Sequence, residues 1–429
     1  MTTDPIALLA EATRHMPLGV LDSYRFWGDE SVFVQSLKGG GFTTTDGRDF
    51  VDYRLGYGPI ILGYRDARVD GAVIDAIQNI GTVCGFSTPL DAEVVRRIKK
   101  MCPNIDKMRF ANSGTEAVMG AVRVARGFTG RDRILVVEGG FHGLYDEMMW
   151  RSDEEGVVPF GGGLPTATRA NLDFIELNDA EGLLEALQSG PPVAAVVLEP
   201  IMGNSGSISA TPEYMSQLRA ACTEHGAMLI VDEVKTGFRV AKGGAQEYYG
   251  VHADLTTYAK AMGNGYPVAA FGGRAEVMDV ISFDPGGVTH GGTYTANMIA
   301  LSAARATLEI LDETDALKTI FDVGRAHREM LGRVFTRFSV QHTFAGPDSM
   351  FGVHFSESVP LSWRDWKKTD APLYTAFCKQ LIARGVMLEP DSREPWFFCE
   401  AHQTVDMGWL EDVATQSMAA ALEASAAQG

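Results

Sequence analysis

The 429-residue sequence contains only five cysteines, and they are too scattered to form a disulfide or zinc framework. Their number is odd and no CxxC pair occurs, so we expect reduced thiols of the kind found in cytosolic proteins. We expect these thiols to serve as small residues of the core. The cysteines are Cys84, Cys102, Cys222, Cys378 and Cys399.

Long apolar runs and basic runs are also missing. No stretch reaches the roughly 18 apolar residues of a membrane span, and residues 1–5 carry acidic rather than basic charge, unlike a secretory signal. Lys and Arg number 37 against 55 Asp and Glu, which gives a net charge of −18. Such an acidic chain does not favour nucleic-acid binding. We therefore expect a cytoplasmic protein that binds neither membrane nor nucleic acid.

Short apolar strands alternate with helical patterns in the middle of the chain, which is typical of a mainly parallel sheet wrapped by helices. One helix face is predicted where apolar residues recur at i, i+3, i+4 and i+7. These residues are Val118, Ala121, Val122 and Ala125. The predicted strands of this large α/β domain are residues 134–137, 193–198, 228–231 and 268–271.

Smaller elements flank the large domain. Strands are predicted within residues 33–36 and 41–53, joined by a hairpin turn at Asp46 and Gly47. After about residue 308, a long helical stretch leads to a predicted strand at residues 349–355. This pattern predicts a smaller C-terminal α+β domain.

A lysine in a glycine-rich loop follows a strand that ends in acidic residues. Strand 228–231 leads into Asp232, and Lys260 precedes Gly263 and Gly265. Lysine can hold the aldehyde of pyridoxal phosphate as a Schiff base, while aspartate keeps the pyridine nitrogen protonated. An isolated lysine is more often a solvated loop residue. The interpretation therefore depends on the surrounding motifs.

The segment Ser113, Gly114 and Thr115 stands at the start of the predicted helix. Free backbone N–H groups and the helix dipole favour a phosphate at such a position. An isolated Ser-Gly-Thr is more often a simple N-cap. Residues 290–297 contain a Gly-Gly-Thr turn before another helix, which offers a second phosphate contact.

Polar and aromatic residues follow two of the predicted strands. Phe141 lies between glycines after strand 134–137, where its ring can stack on a flat cofactor or belong to the core. Residues 199–204 close strand 193–198 at the edge where open α/β sheets bind ligands.

Five segments in this order resemble the class III aminotransferases of the pyridoxal phosphate fold-type I superfamily, and among them the glutamate-1-semialdehyde aminomutases and their relatives. The resemblance covers nearly the whole chain. The matching segments are residues 46–53, 58–63, 110–117, 232–239 and 292–293.

The resemblance implies pyridoxal 5'-phosphate as cofactor and assigns residues to it. Lys260 forms the Schiff base, Asp232 pairs with the pyridine nitrogen, and Lys235 is not the Schiff-base lysine. Phe141 and Val234 pack on the two faces of the ring. The remaining expected cofactor contacts are Ser113, Gly114 and Thr115 at the phosphate, with His142 and Asn204 nearby.

Quaternary and domain organisation follow from the same resemblance. Thr293 is expected to reach the phosphate of the neighbouring subunit's cofactor, so the working unit is expected to be a homodimer. The small domain is expected to combine both termini. The predicted segments are residues 1–60, a large cofactor-binding domain at 61–310, and a C-terminal part at 311–429. No metal is expected.

Candidate substrate contacts are Arg25 and Arg393, because a guanidinium can bind a carboxylate through two hydrogen bonds. Either arginine could equally be a surface residue. Glu394 occupies the place of an active-site glutamate of the family. Tyr57 and Phe86 are candidates for the pocket lining, although aromatic residues are more often core.

The reaction class is predicted from two departures from the aminomutase pattern. Asp22 stands where those enzymes have a serine, and residues 149–156 are shorter and more acidic than their gating loop. We therefore predict an aminotransferase that moves an amino group from an amino acid or amine to a keto acid or aldehyde. The alternatives are a glutamate-1-semialdehyde 2,1-aminomutase, a racemase or decarboxylase using the same cofactor, and a non-catalytic cofactor-binding regulator.

Overall fold

A seven-stranded sheet forms the centre of the computed structural model, which describes residues 4–82, 85–153 and 156–426. Six strands run parallel, and the predicted strand at 268–271, observed at Ala269–Gly273, is antiparallel to its two neighbours. The predicted α/β class is confirmed. In sheet order the strands are Lys107–Ala111, Ala269–Gly273, Leu255–Tyr258, Met228–Glu233, Val193–Leu198, Arg133–Val137 and Leu172–Ile175.

Helices cover both faces of this sheet, so its central strands are apolar on both sides. All six residues of Val193–Leu198 are buried. The described residues form thirteen α-helices. They are Pro5–Thr13, Ala67–Asn79, Pro89–Met101, Gly114–Thr129, Ala180–Gln188, Pro212–His225, Gly244–Tyr249, Ala275–Met278, Met298–Glu313, Ala316–Arg337, Trp363–Trp366, Ala371–Ala383 and Met407–Ala426.

The helix Gly114–Thr129 confirms the predicted apolar face, since Val118, Ala121, Val122 and Ala125 are all buried. It ends at Gly130, whose φ of 65° closes the helix in the left-handed conformation that glycine adopts without strain. The helix packs closely on the sheet. A Cβ at Gly120 would lie 2.5 Å from the ring of Phe271.

The N-terminal and C-terminal parts share one small sheet. Asp49–Asp52 pairs in parallel with Val386–Met387 near the end of the chain. The turn at Asp46 and Gly47 is confirmed as a turn, but it joins Gly41–Thr44 to Asp49–Asp52, both inside the second predicted strand. The first strand, Val34–Lys38, reaches Gly41 through a glycine turn instead.

The C-terminal part begins with two helices rather than one stretch, and the predicted strand 349–355 is found at Met350–His354. The helix Met298–Glu313 continues across the predicted boundary between residues 310 and 311. The domain boundaries stay predictions. Thr343–Ala345 and Trp396–Phe397 each pair with Met350–His354. The other strand pairs are Trp150–Asp153 with Gly156–Pro159, and Ile201–Met202 with Ile208–Ser209.

Four of the five cysteines, Cys102, Cys222, Cys378 and Cys399, are buried free thiols, as predicted, whereas Cys84 lies outside the described residues. Among the described residues no helix is long and apolar enough to cross a membrane.

Arg239 is fully buried and donates to backbone carbonyls from both ends of the chain. Its guanidinium reaches the carbonyls of Gly58 and Ile60 at 2.7 and 3.1 Å, and those of Phe398 and Ser349 at 2.7 and 3.3 Å. Burial lowers the pKa of Arg239 to about 10. One side chain therefore joins the N-terminal and C-terminal segments to the large domain.

We expect Arg239→Met to lower the free energy of unfolding by about 3 kcal/mol or more, because it leaves several buried carbonyls without donors. Urea unfolding followed by fluorescence measures this loss. The control is Arg325→Met at an exposed arginine, where a change within about 0.5 kcal/mol is expected. Equal effects of the two substitutions would contradict the assigned role of Arg239.

Candidate active site

Asp232 is a buried carboxylate at the end of the central strand Met228–Glu233, and its side chain is 2% exposed. One oxygen lies 2.8 Å from Nδ1 of His142. The other accepts from the Thr257 hydroxyl at 2.8 Å and from the Val234 amide at 3.0 Å. Because a carboxylate accepts hydrogen bonds, Nδ1 is the protonated nitrogen of His142.

The pKa of His142 depends on this carboxylate. Burial lowers its pKa, but the hydrogen bond and charge of Asp232, together with the charge of Glu199, outweigh burial and raise the pKa above its ordinary value. Nε2 of His142 is buried and has no partner among the described residues. His142 is therefore a buried hydrogen-bond donor to Asp232.

Lys260 follows the neighbouring strand Leu255–Tyr258, whose Thr257 lies directly beside Asp232 in the sheet register. Its φ of 45° is in the left-handed region, which is strained for a lysine. Burial, followed by the charge of Lys235, lowers the pKa of Lys260 to about 7, against the attraction of nearby carboxylates. Near neutral pH a large fraction of this amine is unprotonated and can act as nucleophile or base.

Glu199 ties two loops together beneath the site, a role that the sequence analysis missed. Its carboxylate accepts from the backbone amides of Phe141 at 2.9 Å and Gly203 at 3.0 Å. Burial is the main cause that raises its pKa, and the charge of Asp232 adds to it. The only sequence signal was its position directly after a fully apolar strand.

The Ser113 to Thr115 segment lies at the same edge of the sheet. The Ser113 hydroxyl accepts from the Glu116 amide at 3.2 Å, so Ser113 does cap the helix. A Cβ at Gly114 would lie 3.1 Å from the methyl groups of Val234, and the Thr115 hydroxyl accepts from the Leu144 amide at 3.2 Å. The fold thus places this segment against the loops after two other strands.

A cavity of about 240 Å³ opens beside these loops. It brings together five predicted residues, namely Tyr57, Phe141, Asn204, Arg393 and Glu394. The other lining residues were not predicted; they are Ser23, Tyr24, Phe26, Trp27, Phe160, Glu389 and Asp391. Aromatic rings form much of the wall, and ionisable groups cluster on one side.

Three predicted residues lie elsewhere among the described residues. Arg25 is 57% exposed and pairs with Asp22 at 2.7 Å, because the two face each other across one short helical turn. Phe86 is 83% exposed and does not line this cavity. Thr293 is exposed in the turn before the helix Met298–Glu313.

The ionisable residues on one side of the cavity form ion pairs with neighbouring residues. Arg393 contacts Asp391, with 2.8 Å between Nε and a carboxylate oxygen, and Arg54 lies 3.1 Å from Glu389. Burial raises the pKa of Glu389 to about 7. Tyr57, held at a left-handed φ of 69°, lies 3.3 Å from the same carboxylate.

The family model of the class-III aminotransferases matches residues 26–406. The chain therefore belongs to the class-III aminotransferases, and it is a pyridoxal phosphate-dependent enzyme. A glutamate-1-semialdehyde 2,1-aminomutase of Methanothrix thermoacetophila is 36% identical over 399 residues, which is 92% of each chain.

Solved structures agree with this assignment. An omega-transaminase from Sphaerobacter thermophilus is 27% identical, with a TM-score of 0.89 over 97% of each chain. A transaminase with bound pyridoxal phosphate is also 27% identical, with the same TM-score over 99% of each chain. The predicted fold type, enzyme class and cofactor are confirmed, whereas the roles of individual site residues stay predictions.

The residues present fit this cofactor. A buried carboxylate with its own histidine partner suits a protonated pyridine nitrogen, and a lysine with a pKa of about 7 suits an aldehyde. A Cβ at Gly114 would press on the methyl groups of Val234 at 3.1 Å, so a glycine keeps Val234 in place beside the helix N-terminus where a phosphate would bind.

We expect Asp232→Asn to slow the reaction with an amino donor by about 10²–10³-fold, because asparagine keeps the size but loses the negative charge. Stopped-flow absorbance of the first half-reaction measures this rate. Thr257→Val is the matched control, since it removes one neutral hydrogen bond to the same carboxylate and is expected to slow the rate by about tenfold or less. An unchanged rate in Asp232→Asn would remove Asp232 from the mechanism.

Proposed function

We propose that this enzyme is a two-substrate aminotransferase that takes an amino group from an amino acid or amine and gives it to a keto acid or aldehyde. The observation that carries the proposal is the pairing of two short strands that directly precede the cavity residue Phe160. Trp150–Asp153 and Gly156–Pro159 pair as an antiparallel ladder from Trp150 opposite Pro159 to Asp153 opposite Gly156. Phe160 then lines the cavity directly.

A mutase must retain its substrate between two half-reactions, whereas an aminotransferase must release its first product. A long loop that closes over the site serves retention. The two described strands have only four residues each, so they give less chain to cover the cavity than a long closing loop does. The pairing of Arg25 with Asp22 also leaves that arginine engaged away from the cavity.

We assign roles in the chemistry of the cofactor to three side chains, Lys260, Asp232 and His142. Bound pyridoxal phosphate supplies a carbonyl for the amino group and an electron sink for the carbon that loses a proton. Lys260 would hold the aldehyde of the cofactor, and its free amine would serve as the general base that moves the proton. Asp232, with His142 as its partner, would keep the pyridine nitrogen protonated.

The remaining contacts orient the cofactor and exclude water. Phe141 and Val234 would lie on opposite faces of the ring, and Asn204 would reach its edge. The backbone and hydroxyls of Ser113, Gly114 and Thr115 would hold the phosphate at the helix N-terminus.

Arg393 is the cation that we assign to a substrate carboxylate. It lines the cavity, and its present partner Asp391 leaves other guanidinium N–H groups for a ligand. Tyr24, Phe26 and Tyr57 provide apolar wall for the rest of the substrate, and Glu394 lies beside them. These features favour a donor with a bulky apolar group.

The second candidate is glutamate-1-semialdehyde aminomutase activity. The observation that favours it is the 36% identity to such an enzyme over 92% of the chain. The two candidates use the same cofactor contacts and differ in whether the first product leaves the site.

We expect each half-reaction to proceed alone and the complete reaction to show ping-pong kinetics. In a screen of amines and amino acids without acceptor, the absorbance of the cofactor should convert to that of its aminated form. Adding a keto acid or aldehyde after removal of the free donor should restore it. Efficient conversion of glutamate-1-semialdehyde to 5-aminolevulinate without any acceptor would contradict the proposal and favour the mutase.

We also propose that the enzyme works as a homodimer in which Thr293 contacts the partner's cofactor. Thr293 and Tyr294 are both exposed in this chain, and Tyr294 is 66% exposed. An exposed ring beside a predicted phosphate contact is consistent with a surface that a second copy covers.

Light scattering should give twice the 46.4 kDa chain mass. Thr293→Ala should weaken cofactor affinity by about tenfold, the usual size of one lost hydrogen bond to a charged group, without changing that mass. Thr166→Ala, at an exposed threonine on another surface, is the control. A monomer with full cofactor affinity would contradict the dimer.

A further inference from the structure

Lys235 is a second buried lysine at the site, and its side chain is only 5% exposed. Its ammonium lies 2.6 Å from the Gly203 carbonyl and 2.9 and 3.1 Å from the two oxygens of Glu394, and it also contacts the side-chain oxygen of Asn204. An ammonium has three protons and no acceptor. Its hydrogen-bonding capacity is therefore filled.

The chain is shaped around this side chain. A Cβ at Gly203 would lie 2.0 Å from Cδ of Lys235, so any other residue at position 203 would block the path of the lysine stem. The Gly203 amide donates to Glu199 in the same loop. The loop after strand Val193–Leu198 is thus adapted to a lysine at position 235.

Lys235 fixes the orientation of two residues that line the cavity. An ammonium can only donate, so the Asn204 atom that contacts it is the amide oxygen, and the NH₂ group is the end left for a ligand. Both oxygens of Glu394 accept from the same ammonium, which holds that carboxylate in one position.

Lys235 is also a charge near Lys260. The charged groups that act on Lys260 are Lys235, Glu394, Glu199 and Asp232, and Asp232 carries His142 on its far side. After burial, Lys235 has the largest effect, and it lowers the pKa of Lys260, whereas the three carboxylates raise it. The pair formed by Lys235 and Glu394 therefore places opposing charges beside one amine.

We propose that Lys235 is a positioning residue that orients Asn204 and Glu394 in the cavity and places a second positive charge near the Lys260 amine. This inference rests on the proposed role of Lys260. It assigns two effects to one side chain: the orientation of Asn204 and Glu394 in the cavity wall, and an electrostatic effect on the Lys260 amine.

The test measures Lys260 directly in the full-length chain after removal of the cofactor. Pulse labelling with acetic anhydride at a series of pH values, followed by peptide mass spectrometry, gives the pH of half-maximal labelling for Lys260. This value should lie near 7 in the wild type. It should rise by about one pH unit or more in Lys235→Met, because a nearby cation is removed and the Glu394 charge is left unbalanced.

Glu394→Gln should shift the same value in the opposite direction, since it removes a carboxylate and leaves the Lys235 charge. The double variant Lys235→Met with Glu394→Gln should fall between the single variants. Lys242→Met, at a partly exposed lysine paired with Asp312, is the matched control and should leave the value unchanged. A purely structural role would not give shifts of opposite sign, so shifts of the same sign or none would overturn the proposal.

A second readout follows the cofactor itself. The rate at which added pyridoxal phosphate develops its bound absorbance should show the same order of pH shifts among the variants, with Lys235→Arg close to the wild type because it keeps the charge. Borohydride trapping and peptide mapping separate the two hypotheses. Cofactor trapped on another lysine would contradict the role of Lys260, whereas cofactor trapped on Lys260 without the opposite shifts would contradict only the role of Lys235.

Discussion

Asp232 places a carboxylate at the end of the central strand where water cannot solvate it, so the protein must supply its hydrogen bonds. Each partner comes from a different segment: Thr257 from the neighbouring strand, His142 from the loop after a third strand, and Val234 from its own loop. Satisfying one buried charge therefore fixes one strand and two loops relative to each other. The rest of the site is built on those loops.

Several further charges are buried around this one, and their balance decides the protonation of Lys260. The carboxylates of Glu199 and Glu394 attract a proton to Lys260, whereas burial and Lys235 disfavour it. Coulomb interactions at these depths are larger than on the surface, because water screens them less. Lys235, which is held by Gly203, Asn204 and Glu394, can therefore influence the protonation of a second lysine through its charge.

The sequence predicted the parts of this site that follow from strand ends. Asp232, Phe141 and Asn204 each lie at the carboxyl end of an apolar strand or in the loop that follows it, and parallel strands bring their carboxyl ends to one edge. Arg25 was harder, because the nearby Asp22 captures it through a local turn that no periodicity reveals. Glu389 and Tyr24 were missed because they come from segments far apart in sequence that meet only in the folded chain.

The left-handed backbone at Lys260 connects the fold to the reaction. A lysine at a φ of 45° is less stable locally than in an extended strand, so neighbouring contacts must hold it there. The turn Lys260–Gly263 leads to Asn264, whose side chain accepts from the amides of Ile61 and Leu62 at 3.0 Å. Contacts between residues that do not line the cavity thus hold the turn that contains Lys260.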